Sequence, residues 1–243
     1  MEQKQRFEMM SKENKIVNKL VKENELNKKE WTKLYDMDYT RLKDVMVSFK
    51  EMIKNKKISE RIEWFIKDIK LYCNKTQHPY VLDVGCFDGY TTYCLKQAGF
   101  NPTGIDCSPK AIEEADKNVP NVPFTVGFAE ELPFQDELFD AVIMSQVIEH
   151  LKEPVVALKE AMRVLKPNGL LLVTTPIGKN LLDPLHVRFF DYYKSGENVE
   201  GLYELFNQIT NNYKIILCKK WFKNKKPNVF YIRAFKEVNE HAK

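Results

Sequence analysis

The stretch that most constrains the fold covers residues 80–90 and reads YVLDVGCFDGY. Its apolar beginning, with only one acidic interruption, is typical of a short strand that is buried on both faces. Gly85 and Gly89 then enclose a turn, and the following TTYCLKQAG has helical character. A strand, a glycine turn and a helix N-terminus together bring free backbone N–H groups close to a nucleotide-like ligand.

Two carboxylates extend this pattern. Asp83 stands two places before the first glycine, where a carboxylate suits a ligand with a cationic or amine end better than a pyrophosphate. Asp106 ends the second predicted strand, where a carboxylate can accept hydrogen bonds from two ribose hydroxyls. Ser108 and Pro109 follow as a predicted N-cap and first residue of the next helix.

From Tyr80 onward, strand and helix patterns alternate along the chain. This alternation predicts an α/β fold with a doubly wound, mostly parallel sheet of seven strands, whose ligand crevice lies at the carboxyl ends of the strands. The last two strands are joined by KWFKNKKP, which is too short for a crossover helix, so an antiparallel pair is expected at the sheet edge. The predicted strands cover residues 80–84, 102–106, 123–126, 139–144, 170–175, 213–219 and 228–235.

The first part of the chain, residues 1–79, contains no glycine and has the apolar periodicity of helices. Two domains are therefore expected: a helical cap or lid over 1–79, and a ligand-binding domain over 80–243. The segment EWTKLYDMDY is dense in aromatic residues, which suit either core packing or a lid over a ligand pocket.

Composition excludes several classes of protein. The net charge of +4 comes from 38 basic and 34 acidic residues, so it is mixed, and a nucleic-acid partner is not expected. Apolar runs stay below the ~18 residues that a membrane span needs, and the N-terminus lacks the apolar core of a secretory signal, which predicts a cytoplasmic protein. Five cysteines without a CxxC pair indicate neither a disulfide framework nor a zinc site.

Polar residues also follow the third and fourth strands. Phe128, Ala129 and Glu130 stand where the base of a nucleoside would lie. The fourth strand ends in SQVIEHL, and a polar cluster directly after a buried strand is typical of a functional site. The polar residues of that cluster are Ser145, Gln146, Glu149 and His150.

Four motifs in order, LDVGCFDG, GIDCSP, FDAVIMSQVIEHL and LKPNGLLLVTTP, resemble those of the class I S-adenosylmethionine-dependent methyltransferases, most closely the methyltransferase type 11 group. The resemblance covers about residues 80–176. It implies S-adenosyl-L-methionine as cofactor, with Asp83 and Gly85 at its methionine end and Asp106 at its ribose. The full set that it implies for the cofactor is Asp83, Gly85, Cys86, Phe87, Gly89, Asp106, Cys107, Phe128, Ala129, Glu130, Ser145 and Gln146.

The chain departs from the family pattern at two positions. Phe87 replaces the middle glycine of the loop, which gives the loop a bulkier interior. Phe128 replaces the acid that pairs with the adenine amino group, and Glu130 or a backbone carbonyl is expected to take that role.

A sulfonium-bound methyl group is already activated, so the protein must align a nucleophile, exclude water and accept a proton. The candidates for this base are His186, His150 and Glu149. The expected reaction is methylation of an oxygen or nitrogen atom of a small metabolite or sugar-like substrate.

Three other interpretations stay open. Glu149, His150 and His186 also resemble part of the metal set of RNA 3′-end 2′-O-methyltransferases, although that family has glutamate where this chain has neutral Gln146. A nicotinamide-dependent oxidoreductase would favour GxGxxG over the GxxxG present here. A non-catalytic scaffold could use the N-terminal helices to bind a partner. The sequence does not predict an oligomeric state.

Overall fold

The computed structural model describes residues 27–45, 49–54, 58–151, 153–176, 200–218 and 229–237. Three helices precede the sheet: α1 (Lys28–Val45), α2 (Phe49–Lys54) and α3 (Glu60–Tyr72). The predicted base His186 and the connection between the last two strands, residues 219–228, lie outside the described residues.

Strands and helices alternate through the rest of the chain, close to the predicted positions. The strands are β1 (Tyr80–Val84), β2 (Asn101–Asp106), β3 (Phe124–Val126), β4 (Phe139–Ser145), β5 (Leu165–Pro176), β6 (Tyr213–Cys218) and β7 (Val229–Phe235). The helices are α4 (Tyr90–Gln97), α5 (Pro109–Asn118), α6 (Pro154–Val164) and α7 (Glu200–Asn207), with a 3₁₀ turn at Ile148–His150.

All seven strands form one sheet in the order β3-β2-β1-β4-β5-β7-β6. The first five pair in parallel, while β7 lies between β5 and β6 and is antiparallel to both. The predicted doubly wound, mostly parallel sheet with an antiparallel C-terminal pair is therefore confirmed. The strand order reverses between β1 and β4, which places the ligand crevice at their carboxyl ends.

The sheet is buried on both faces, as its apolar strands require. Along β5, Leu170 and Leu172 face one core together with Phe65 of α3, while Leu171 and Val173 face the opposite core. Because residues of one strand alternate between the two faces, a continuous apolar run serves both cores.

One boundary differs from the prediction. The strand β5 was expected at 170–175, after a turn in KPNG, but it begins at Leu165 directly after α6. Leu165 pairs with Phe139, and the backbone of Lys236 bonds to Asn168 and Gly169. The turn is thus an irregularity within the strand pairing, and the backbone groups on both sides of it are satisfied by neighbouring strands.

Helix α3 is fixed to the sheet by a buried polar network. The carboxylate of Asp68 accepts a 2.5 Å hydrogen bond from the Tyr231 hydroxyl and lies 2.6 Å from Nε of Arg233, both on β7. Asp68 is only 3% exposed. The helix is therefore part of the domain core rather than a separate layer. No helix within the described residues is long and apolar enough to cross a membrane.

We expect the Asp68→Ala variant to lose about 2–3 kcal/mol of unfolding free energy, because the substitution leaves a buried hydroxyl and a largely buried guanidinium without their acceptor. Urea denaturation measures the change. The control is Glu113→Ala, which removes one partner of an exposed pair with Lys117 and should leave the unfolding midpoint unchanged. An equal midpoint for Asp68→Ala and wild type would contradict the anchoring role.

Candidate functional site

A cleft lies at the carboxyl ends of β1, β2 and β4 and is covered on one side by α1. This is the switch point of the strand order, where parallel α/β sheets bind ligands. The cleft is lined by Tyr35, Tyr39, Val84, Gly85, Phe87, Ile105, Asp106, Cys107, Ser108, Gly127, Phe128, Ala129, Glu130, Gln146, Val147, His150 and Leu151.

The glycine loop between β1 and α4 depends on left-handed backbone at both glycines. Gly85 has φ of 72° and Gly89 has φ of 85°. A Cβ atom at position 85 would lie 2.5 Å from Cγ2 of Val147, which follows β4. Only glycine therefore lets the loop approach the end of the neighbouring strand so closely.

Phe87 also has left-handed backbone, with φ of 53°. The loop thus keeps at this position the conformation that glycine adopts most easily, although it carries a phenyl ring. The ring lies in the wall of the cleft and packs on Tyr39 of α1, with ring centroids 4.6 Å apart.

Asp106 joins two loops of the cleft. Its carboxylate accepts hydrogen bonds from the backbone N–H of Phe87 at 3.0 Å and of Ser108 at 2.9 Å. Burial raises the pKa of Asp106, and these two N–H groups oppose the rise. The predicted cap of α5 is confirmed, because the Ser108 hydroxyl accepts from the N–H of Ala111 and Pro109 begins the helix.

Two buried acidic residues, Asp83 and Glu149, interact with Arg61 of α3. Asp83 is 1% exposed, and its carboxylate accepts a 2.6 Å hydrogen bond from the hydroxyl of Thr92 on α4. Burial raises the pKa of Asp83 to about 7. Arg61 of α3 interacts electrostatically with both Asp83 and the buried Glu149, while burial lowers its pKa to about 10. The guanidinium therefore favours the ionised forms of two acidic side chains, whereas their burial favours the protonated forms.

His150 lines the cleft from the turn after β4. The hydroxyl of Tyr35 donates a 2.9 Å hydrogen bond to the backbone carbonyl of His150, so α1 holds this turn in place.

The structure brings nine of the predicted site residues together around the cleft and places five elsewhere. The nine are Gly85, Phe87, Asp106, Cys107, Phe128, Ala129, Glu130, Gln146 and His150. The other five, Asp83, Cys86, Gly89, Ser145 and Glu149, do not line it, and His186 lies outside the described residues. Among the described residues, no three His, Cys, Asp or Glu side chains are grouped as a metal site.

Sequence reasoning missed several polar and aromatic side chains of this region. Tyr35 and Tyr39 line the cleft, Asp36 bonds to the start of α5, and Arg61 lies near Asp83. The two tyrosines stand four residues apart in EWTKLYDMDY, so they share one face of a helix. That spacing, together with the aromatic density, was the only available signal.

A methyltransferase family model matches the part of the chain that runs from β1 to β5. The model is described as a methyltransferase domain and matches residues 82–173. The chain is 36% identical over 119 residues to the ubiquinone biosynthesis O-methyltransferase of Rickettsia typhi, covering 47% of this chain and 48% of the relative. It is 33% identical over 151 residues to the 2-methyl-6-phytyl-1,4-hydroquinone methyltransferase of a Synechocystis species, covering 54% and 48%. The chain thus spans about half the length of these curated relatives.

Solved structures share the fold. The YcgJ protein from Bacillus superposes with a TM-score of 0.56 at 20% identity, over 73% of this chain and 98% of that one. A SAM-dependent methyltransferase from Methanosarcina mazei gives a TM-score of 0.53 at 23% identity, over 70% and 97%.

We expect the burial of Asp83 to make the unfolding free energy depend on pH. Its carboxyl stays protonated in the folded protein up to about pH 7 but ionises near pH 3.8 when unfolded. The folded form therefore binds more protons in this window, and this group's contribution to stability falls as pH rises, by up to ~1.4 kcal/mol per pH unit. Asp83→Asn should flatten the dependence of unfolding free energy on pH between 4 and 7, measured by urea denaturation.

The control for this experiment is Asp116→Asn, at an exposed position of α5, which should keep the wild-type slope. Identical slopes for Asp83→Asn and wild type would show that Asp83 ionises normally in the folded protein.

Proposed function

We propose that this chain, which belongs to the class I S-adenosylmethionine-dependent methyltransferases of the type 11 group, transfers a methyl group from S-adenosylmethionine to an oxygen or nitrogen atom of a small organic acceptor. The observation that carries the proposal is the junction at Asp106. A carboxylate fixed by two backbone N–H groups stands beside a glycine loop, at the switch point of the sheet.

The residues present fit the cofactor chemically. Asp106 offers carboxylate oxygens for the two ribose hydroxyls, and Phe128, Ala129 and Glu130 form the part of the wall that suits the adenine. A ligand with sulfonium and ammonium charges favours the ionised form of a carboxylate, so it would oppose the effect of burial on Asp106.

The acceptor is best sought among ring compounds that carry a hydroxyl group. The similar proteins from Rickettsia typhi and Synechocystis are named for ubiquinone biosynthesis and for a hydroquinone, and a demethylmenaquinone methyltransferase of Chlorobaculum parvum is 34% identical over 102 residues. Tyr35, Tyr39 and Phe128 give the cleft aromatic walls that suit a planar ring. These names give no support to RNA as the acceptor.

The bound cofactor supplies a methyl group that its sulfonium has already activated. The chain must then hold the acceptor in line, keep water away and take up the proton of the attacking hydroxyl. His150 lines the cleft and its turn is fixed by Tyr35, which favours it as the base. His186 remains a second candidate, whereas Glu149 is 4% exposed and pairs electrostatically with Arg61.

We expect wild-type protein to bind S-adenosylmethionine, and Asp106→Asn to bind it about 10–100-fold more weakly, because a hydrogen bond to a charged group contributes about 1.5–3 kcal/mol. Isothermal titration calorimetry measures both constants. Asp116→Asn, an exposed aspartate on the neighbouring helix α5, is the matched control and should keep wild-type affinity. Heat from NAD but none from S-adenosylmethionine would overturn the proposal.

Replacement of His150 by alanine should lower turnover at saturating acceptor about 10²–10⁴-fold, the range of general base catalysis, while cofactor affinity stays unchanged. A panel of small phenols, sugars and amines, followed by formation of S-adenosylhomocysteine, provides the assay. If His150→Ala and His186→Ala both kept wild-type turnover, neither histidine would act as the base.

A further inference from the structure

Helix α1 contacts four separate segments of the cleft rim. Tyr39 packs on Phe87 of the glycine loop, and the Tyr35 hydroxyl donates to the carbonyl of His150 after β4. The Asp36 carboxylate accepts from the hydroxyl of Ser108 and from the N–H of Lys110, at the start of α5. A fourth contact pairs Lys28 with Glu131 after β3.

These contacts differ in how strongly solvent weakens them. Lys28 and Glu131 are both more than two-thirds exposed, so solvent screens their attraction. Tyr39 is 6% exposed, and its ring buries apolar surface against Phe87. The pair of rings therefore attaches α1 to the loop after β1 through buried apolar surface, which solvent does not screen.

The backbone of Phe87 supports a specific role for this pair. A non-glycine residue with left-handed backbone costs of order 1–3 kcal/mol, and glycine would remove that cost. What phenylalanine adds to glycine at this position is the benzyl side chain, whose ring contacts Tyr39 of α1 at the wall of the cleft. The contact that the ring makes with Tyr39 therefore contributes to offsetting the unfavourable backbone, together with the hydrogen bond from the Phe87 N–H to Asp106.

We propose, on the basis of the methyl-transfer function proposed above, that Phe87 and Tyr39 form an aromatic clasp that holds α1 closed over the cofactor. Tyr35 and Tyr39 both line the cleft, so a ligand beside Asp106 is covered by α1 while the two rings stay in contact. Separation of the rings then limits the release of the spent cofactor. The pair sets how long the cofactor stays bound and takes no part in the chemistry of methyl transfer.

The test follows the release of tritiated S-adenosylhomocysteine from the full chain after addition of excess unlabelled compound. Phe87→Gly and Tyr39→Leu should each speed release about three- to tenfold, the range that corresponds to one aromatic pair. The double variant should release no faster than the faster single variant, because both substitutions remove the same contact. Phe87→Gly suits the left-handed backbone, and Tyr39→Leu gives an independent measurement should either variant fold poorly.

Two controls separate the clasp from general loosening. Tyr39→Phe keeps the ring and should release the compound at the wild-type rate. Tyr72→Leu removes an aromatic contact with Phe235, whose ring centroid lies 5.1 Å away on β7, and it should also release at the wild-type rate. Acceleration by Tyr72→Leu equal to that of the clasp variants would overturn the proposal.

The outcomes distinguish the two proposals. Wild-type protein that binds the compound, with clasp variants that release it at the wild-type rate, would overturn the clasp and leave the methyltransferase function standing. Rates that multiply in the double variant would show that the two rings act independently, which also overturns the clasp. A wild-type protein that retains no S-adenosylhomocysteine would overturn both.

Discussion

One carboxylate holds the two loops of this site together. Asp106 ends β2, yet it accepts the N–H of Phe87 from the loop after β1 and the N–H of Ser108 at the start of α5. A hydrogen bond to a charged group contributes about 1.5–3 kcal/mol, which is the same order as the cost of left-handed backbone at Phe87. The bond to Asp106 is therefore strong enough to help hold the glycine loop in a conformation that its sequence disfavours.

The site extends beyond the segment that the family model matches, because a helix outside that segment supplies one of its charged residues. Asp83 and Glu149 belong to residues 82–173, but the cation that interacts with both, Arg61, comes from α3. Burial penalises the ionised form of each acid, and the guanidinium of Arg61 opposes that penalty. Because Asp68 fixes α3 to β7, the same helix links the antiparallel part of the sheet to the residues near the glycine loop.

The sequence predicted what local patterns encode. Apart from the start of β5, which lies at Leu165 rather than at 170, apolar runs located the strands within one or two residues. Ser108 with Pro109 located the start of α5, because caps and strands depend on neighbouring residues. Arg61 and Tyr39 were missed because helical periodicity does not say which part of the sheet a helix covers. The contact of Asp83 with the cofactor stays a prediction, but the strand pattern did not indicate that its carboxylate bonds to Thr92 on α4. A polar residue at a strand end can thus face a covering helix as easily as the crevice.

Three residues of the glycine loop have left-handed backbone, Gly85, Phe87 and Gly89, and only Phe87 carries a side chain. At Gly85 a Cβ would overlap Val147 at 2.5 Å, and at Gly89 it would meet Val119, Ala115 and Phe124 between 3.1 and 3.3 Å. Position 87 has the same sign of φ, but its side chain extends to the wall of the cleft, where Tyr39 contacts it. Backbone strain is the only obstacle there, and an aromatic contact can offset it. A side chain is tolerated in this loop where a helix from outside the sheet gives it a partner.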